Sequence, residues 1–410
     1  MSGDPLSTSG FAEPRYQAVR DLVDATPAPF GRAGGAISVY VGGRPVVDLW
    51  GGTADTGVPW QEDTRACLAS VTKAWAAIVV HQLVERGTLD LSTPIAEWWP
   101  EFAAHGKGRV TLTDVFQHNV GVLGFEGQKR LLFGEGWSDD DAIDVGLAGA
   151  KPWWTPGTKH GYHAVSFGWL LNAVVRRASG DTIGEHFRRE VAKPLQLDAA
   201  IGIDEIELST LARSVSADVS ALPRVQRGLQ QLLAAKGRDP QRAAGFAFLA
   251  DGTQSILDRA PALMQHPGFM SAEVPASNGV SSARSQAKLF AALAAGGTLD
   301  GVTVLQPETV ARMHSVQTRA RDEVVASALP APLRFAARPI PWTLGLAANR
   351  KMQGTWVLGP NPGAFGAAGF GGQVVMADPA TGISIASICT DFTPTLAKLF
   401  PRVVAAVYAC

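Results

Sequence analysis

The stretch Ala66-Cys67-Leu68-Ala69-Ser70-Val71-Thr72-Lys73-Ala74-Trp75 decides how this chain is read, and Ala76-Ala77-Ile78-Val79-Val80 continues an apolar run behind it. Residues i and i+3 share one face of a helix, so Ser70 and Lys73 meet if the helix opens near Ser70. A serine in the first turn sits at the positive end of the helix dipole, which favours a developing alkoxide. Burial would disfavour the ammonium form of Lys73 and make it available as a base. Average composition supplies about one Ser-x-x-Lys by chance in a chain of this length. A second copy is present, Ser285-Gln286-Ala287-Lys288, inside a helical stretch beginning Ser281-Ser282-Ala283-Arg284. That copy reads as a solvated face. Placement favours Ser70, which opens the longest apolar helix.

A serine and a lysine need a third group to carry the leaving-group proton. Of the four tyrosines, Tyr16 and Tyr408 fall in helical patterns and Tyr40 in a strand. Tyr162 alone follows an irregular loop, Lys151-Pro152-Trp153-Trp154-Thr155-Pro156-Gly157-Thr158-Lys159-His160-Gly161. It is therefore the tyrosine best placed to face a cleft, with a helix-capping role packed on Trp153 and Trp154 as the equal alternative.

Working outward, residues 14–25 read as an amphipathic helix, and GGAISVYVGGRPVVDLWGG as two strands around a Gly-Gly-Arg-Pro turn. Thr72 to Arg86 is an apolar helix with Gly87 as its stop, and SSARSQAKLFAALAAGG is another helix ending in glycines. TWVLG, GQVVMADP and GISIASICTD return to strands, the last two joined by a turn at Asp378-Pro379-Ala380-Thr381-Gly382. A final helix is expected over 394–409, kinked at Pro401. Strands at both ends with helices between them define an α+β fold. One lobe, residues 1–75 and 275–410, would carry the central sheet. A mainly helical lobe, 76–274, would close a cleft against it.

The chain has 410 residues, 46% hydrophobic and 18% charged, with a net charge of −1 and no long run of one sign. This balance argues against nucleic acid or an anionic membrane surface as an obligatory partner. No apolar run is long enough to span a bilayer. The opening MSGDPLSTSGFAEPRYQ lacks the basic start and apolar core of a secretory signal, so a cytoplasmic chain is expected. Cys67, Cys389 and Cys410 are too scattered for a disulfide framework or a metal knuckle, and no metal or cofactor is expected. His160-Gly161-Tyr162-His163 lacks the glutamate of a zinc-binding helix. Ala164-Val165-Ser166-Phe167-Gly168 resembles a nucleophile elbow without its first glycine, but a loop precedes it, so Ser166 reads as a helix-start residue. His118 reads as a loop hydrogen-bonder. GAFGAAGFGG is followed by a strand, which removes a phosphate-cradle reading.

With Ser70, Lys73 and Tyr162 in this order and context, the chain resembles the serine β-lactamase and penicillin-binding protein superfamily. The similarity is closest to class C β-lactamase-like carboxylesterases, the family VIII type, and runs from about residue 15 to 409. The resemblance implies a β-lactamase/transpeptidase-like fold: a mixed, mainly antiparallel sheet flanked by helices, plus the helical lobe. It implies Ser70 as nucleophile, with Lys73 and Tyr162 completing the catalytic set. The backbone N–H groups of Ser70 and Phe370 would hold the oxyanion. Tyr162-His163-Ala164 stands at the second motif, with alanine in place of asparagine. Ala367-Ala368-Gly369 stands at the third, where a lysine or histidine and a hydroxyl residue are usual. Trp153, Trp154 and His163 are candidates for a substrate pocket, with core packing as the competing role. The implied substrate is a small or medium uncharged ester, hydrolysed or transferred to an alcohol. A β-lactamase or D-Ala-D-Ala peptidase is the nearest alternative, and a catalytically silent binding protein on the same fold is the alternative of another class. Oligomeric state is left open.

Overall fold

The computed structural model describes residues 8–133, 135–216, 239, 241–249, 252–253, 256–329, 334, 339–352, 355–392 and 396–410. Seven strands form the main sheet: β1 (Ser9–Ala12), β2 (Gly35–Val41), β3 (Arg44–Gly51), β4 (Ala347–Ala348), β5 (Phe365–Ala368), β6 (Val374–Asp378) and β7 (Ile383–Cys389). Their spatial order is β1-β3-β2-β7-β6-β5-β4. Every pairing is antiparallel, so the sheet is simpler than the mixed one expected. Both chain ends contribute to it, and β2 pairs with β7 in the middle.

The local reasons are visible in the residues. The β2–β3 turn passes through Gly42 (φ 55°) and Gly43 (φ 79°), the left-handed pair that a tight hairpin of this twist requires. The β6–β7 turn closes with Gly382 N–H donating to Asp378 O at 2.9 Å. In β2, Ile37 and Val39 join one core cluster while Ala36 and Tyr40 join the other, the period of two that a strand buried on both faces shows.

The helices that matter here are α1 (Gln17–Asp24), α2 (Thr72–Glu85), α3 (Ser166–Ser179), α4 (Ala283–Ala294), α5 (Glu323–Ala328) and α6 (Leu396–Tyr408). α1 and α6 cover one sheet face, where Val19, Val23, Phe400 and Val403 pack on Ile37, Leu49 and Ile385. α6 carries Pro401 inside it; residues 394 and 395, expected to open it, lie outside the described residues. α4 packs on the other face and shares its core with α2, so sheet and helical segment meet in one continuous apolar cluster.

Every residue of α2 from Thr72 to Leu83 is buried. A helix apolar all round belongs in the middle of a structure rather than on its surface. Its alanines allow close approach: a Cβ on Gly345 would stand 2.4 Å from the Cβ of Ala77. Trp75 stacks on Phe187 at 4.5 Å and donates its indole N–H to Gln286 at 3.1 Å, tying α2 to α4.

The second Ser-x-x-Lys copy corrects an expectation. Ser285 is buried, its Oγ accepting from Ser282 Oγ at 3.1 Å and from the Asp198 N–H at 3.0 Å. Ser282 caps α4 through the Ser285 N–H. The serine side of this copy lies against the core because α4 is sandwiched by the sheet; Lys288 reaches the rim and pairs with Asp300 at 3.3 Å. Among the described residues no helix is long and apolar enough to cross a membrane.

Candidate active site

The chain leaves the short strand Ala66–Cys67, which pairs with Gly279–Ser281, and turns into α2 through a single 3-10 turn, Ala69–Val71. Ala69 holds φ at 49°, a left-handed conformation that costs an alanine about 1–2 kcal/mol. Thr72 holds this corner: its hydroxyl donates to Ala69 O at 2.6 Å and accepts from Gly279 N–H at 2.9 Å. Leu68 N–H donates to Gly279 O at 2.8 Å, so the same glycine grips the corner twice. Ser70 is thereby held at the head of α2, bordering open space on two sides.

Lys73 follows one turn later and is 7% exposed. Its Nζ stands 3.2 Å from Ser70 Oγ, 2.7 Å from Ala164 O and 2.9 Å from Ala276 O. A neutral amine has two N–H donors and one lone pair. The two carbonyls take the two donors, which leaves the lone pair facing the serine hydroxyl. Among the described residues no carboxylate neutralises the ammonium form, and burial lowers the lysine pKa to about 7.

Tyr162 donates its hydroxyl to Ser70 Oγ at 2.7 Å, and its ring lies 4.8 Å from Lys73 Nζ. Burial pushes its pKa up to about 12, so it is a neutral phenol at ordinary pH. Its loop is fastened from behind by a residue with no sequence motif. Asp322, buried at the N-cap of α5, accepts from Tyr162 N–H at 3.2 Å, Val324 N–H at 2.9 Å and Val325 N–H at 3.0 Å. The Asp-Glu start of α5 signals a helix cap, but nothing in the sequence says that this cap reaches Tyr162.

The third stretch runs along β5. Ala367 and Ala368 line the large cavity. The strand ends at Ala368, so Gly369 and Phe370 lie in the turn after it rather than on the strand. Gly369 sits against the serine corner: a Cβ there would come within 2.3 Å of Leu68 O. Phe370 borders the small cavity together with Ser70.

That large cavity, of about 730 Å³, is bordered by Ser70, Lys73 and Tyr162 at one end, and the rest of its wall is mostly apolar, including Phe116, Phe167 and Trp342. Among the described residues its lining carries two basic side chains, Lys73 and the exposed Arg350, and no carboxylate. His118 also lines it. Its Nδ1 accepts from His163 N–H at 3.1 Å, which puts the ring proton on Nε2, and burial lowers its pKa well below the usual imidazole range. A smaller cavity of about 60 Å³ opens on the other side of Ser70, walled by Trp137, Phe248, Met264 and Phe269 among others.

The structure does not bring Trp153, Trp154 or His163 to either cavity. Trp153 and Trp154 border a separate, more open depression with Arg242 and Glu323. Trp154 anchors its loop by donating to Asn119 O at 3.0 Å. His163 is buried behind the site, with Nδ1 2.7 Å from Gly161 O and Nε2 without a partner among the described residues. Ser166 opens α3 and donates to Val122 O at 2.7 Å, away from any nucleophilic arrangement.

A serine and a lysine at the head of a buried helix, a tyrosine across the cleft and a strand along its edge are the features of the penicillin-recognising fold. The chain matches the Beta-lactamase family model over residues 19–408, and it belongs to that family. It is 34% identical over 389 residues to esterase/beta-lactamase LipL of Mycobacterium tuberculosis, covering 92% of this chain and 82% of LipL. A penicillin-binding protein homolog from Caulobacter crescentus is 30% identical, covers 98% of this chain and 99% of its own, and superposes with a TM-score of 0.80. A family VIII carboxylesterase is 29% identical with the same coverage and a TM-score of 0.78.

Proposed function

We propose that this protein is a serine carboxylesterase acting through an acyl-enzyme on small or medium uncharged esters. The observation that carries the reading is the Lys73 amine, 3.2 Å from Ser70 Oγ with its other two hydrogen-bonding directions taken by carbonyls. Ser70 Oγ attacks the ester carbonyl while its proton passes to the Lys73 lone pair. The backbone N–H groups of Ser70 and Phe370 hold the oxyanion. Tyr162 gives its proton to the departing alkoxide and is reprotonated from Lys73. Water then attacks the acyl-enzyme, with the same pair handling the proton in reverse; an alcohol in its place gives acyl transfer.

The two alanines of the third motif favour uncharged substrates. A carboxylate-bearing substrate loses there the charge-assisted contacts of a lysine or histidine, each worth about 1.5–3 kcal/mol. The apolar lining of the large cavity supports the same direction. One observation keeps a β-lactamase or peptidase reading in play: Arg350 offers a cation at the exposed rim of that cavity.

The test is a p-nitrophenyl ester panel beside a chromogenic cephalosporin, on wild type and Ser70→Ala, with intact-mass detection of a fluorophosphonate adduct. Ester turnover and an adduct that both vanish in Ser70→Ala are expected. Cephalosporin turnover without ester turnover favours the second reading. No adduct in the wild type favours a silent binding protein.

A further inference from the structure

The turn that follows β5 carries the second oxyanion donor in the reading above, and its position is fixed by a residue no motif marks. Gly371 (φ 92°) and Gly372 (φ 94°) make the turn's backbone permissive, so it needs an external anchor. The regular ladder between β6 and β7 stops with Val374 opposite Ser387. Beyond it Gln373, 1% exposed, replaces the missing rungs with its side chain. Its Nε2 donates to Cys389 O at 2.5 Å, and its Oε1 accepts from Cys389 N–H at 3.0 Å. The carboxamide therefore reads both backbone groups of the last β7 residue, as a neighbouring strand would.

The other end of the turn hangs from the same residue. Gly369 N–H donates to Gln373 O at 2.7 Å, closing the loop on itself. With Gly369 N–H spent internally, the next amide, that of Phe370, has no bonded acceptor among the described residues. Cys389 Sγ lies 3.1 Å from Gly371 O, and the Phe370 ring meets Phe392 edge-on at 4.9 Å. The turn is thus moored to the 389–392 segment on one side and pressed against Leu68 and Ala69 on the other, where a Gly369 Cβ would meet Leu68 O at 2.3 Å and Ala69 Cβ at 3.2 Å.

We propose that Gln373 is a positioning residue of the oxyanion site: its buried carboxamide ties the Gly369–Gln373 turn to Cys389 and so fixes the Phe370 N–H beside Ser70. This rests on the Ser70 nucleophile reading. Gln373 touches no substrate. It acts through the place of one amide, which matters only when negative charge develops on the carbonyl oxygen.

Two variants test it on the full chain. Gln373→Glu keeps the shape but turns an oxygen toward Cys389 O; Gln373→Met keeps the volume and removes both bonds. For p-nitrophenyl acetate, kcat is expected to fall about 10- to 1,000-fold, with KM within about twofold; outright loss of an oxyanion donor costs about 100- to 1,000-fold, and a displaced one costs up to that. The Ki of a trifluoromethyl ketone, which becomes an anionic adduct on serine, rises by the same factor. The Ki of the corresponding alcohol stays constant. A merely structural role would lower melting temperature without this divergence between the two inhibitors. A folded Gln373→Met that keeps kcat within about threefold of wild type overturns the proposal, as does lost kcat with an unchanged ketone Ki. Whether or not the variants fold, ketone binding to wild type must slow hydrogen exchange at Phe370 N–H, and an unprotected amide there overturns it too. Failure of the underlying reading looks different: wild type itself then forms no ketone or fluorophosphonate adduct at Ser70, and this proposal falls with it.

Discussion

Lowering pH should switch the proposed esterase activity off through one group. Burial brings the Lys73 pKa from 10.5 to about 7. At pH 8 about nine-tenths of the molecules then hold a neutral amine, at pH 7 half, and at pH 5 about one in a hundred. If the neutral amine takes the Ser70 proton, kcat/KM loses about tenfold per pH unit below 7, about 100-fold by pH 5. An unperturbed lysine would instead give activity rising steadily to pH 10. The assay is kcat/KM for a p-nitrophenyl ester, read at the isosbestic wavelength so that phenol ionisation does not distort the profile.

Kinetics alone cannot assign the limb to Lys73, and stability can. The folded pKa lies below the unfolded one, so between about pH 7 and 10.5 the unfolded chain holds a proton that the folded chain has released. Stability from this group therefore rises with pH across that window, and the cost of the buried charge is fully present below pH 7. Each tenfold in proton affinity is worth about 1.4 kcal/mol, so wild type should gain about 3 kcal/mol on Lys73→Met between pH 6 and pH 9 in urea melts. A kcat/KM limb centred above pH 9, or a stability difference that does not change with pH, would refute the assignment of Lys73 as the base.

Three further outcomes follow from the geometry. Tyr162→Phe removes the 2.7 Å bond to Ser70 Oγ while keeping the ring; kcat should fall about 10²–10⁴-fold with KM nearly unchanged, and a raised KM with kcat unchanged would point to binding instead. Thr72→Val leaves Gly279 N–H buried and unpaired and frees Ala69 O, so unfolding free energy should drop by about 2–4 kcal/mol in denaturant melts, with a drop under 1 kcal/mol counting against the corner's role. Ala367→Lys puts a cation on β5 facing the cavity; KM for a carboxylate-bearing cephalosporin should fall about 10-fold or more while the neutral-ester KM does not, and parallel changes for both substrates would deny position 367 a part in selectivity.

The parts of the fold legible in the sequence are those whose cause is local. The Gly42–Gly43 hairpin, the Gly87 stop after α2 and the Asp378–Gly382 turn each rest on a few adjacent residues. The parts that were not legible depend on what meets them from far along the chain. Trp153 and Trp154 form an aromatic pair beside Tyr162 in sequence, yet the loop folds so that Trp154 serves as its anchor on Asn119 O while Tyr162 alone reaches Ser70. Asp322 and Gln373 act through backbone groups of Tyr162 and Cys389, partners that no spacing rule supplies.

The two Ser-x-x-Lys copies make the same point from one motif. Both stand in the first turns of buried helices, and both pack beside the sheet-and-helix core. Ser285 is consumed by the cap of its own helix and by Asp198 N–H, and its lysine escapes to the rim, where it pairs with the Asp300 carboxylate at 3.3 Å. Ser70 meets open space, and Lys73 is turned inward onto two carbonyls, with no counter-charge among the described residues. Spacing brings a serine and a lysine onto one face; it does not decide which of the two is buried. That choice belongs to the surroundings. A lysine buried away from water and counter-charge can give up its proton near neutrality, and that is what lets it serve a serine as a base.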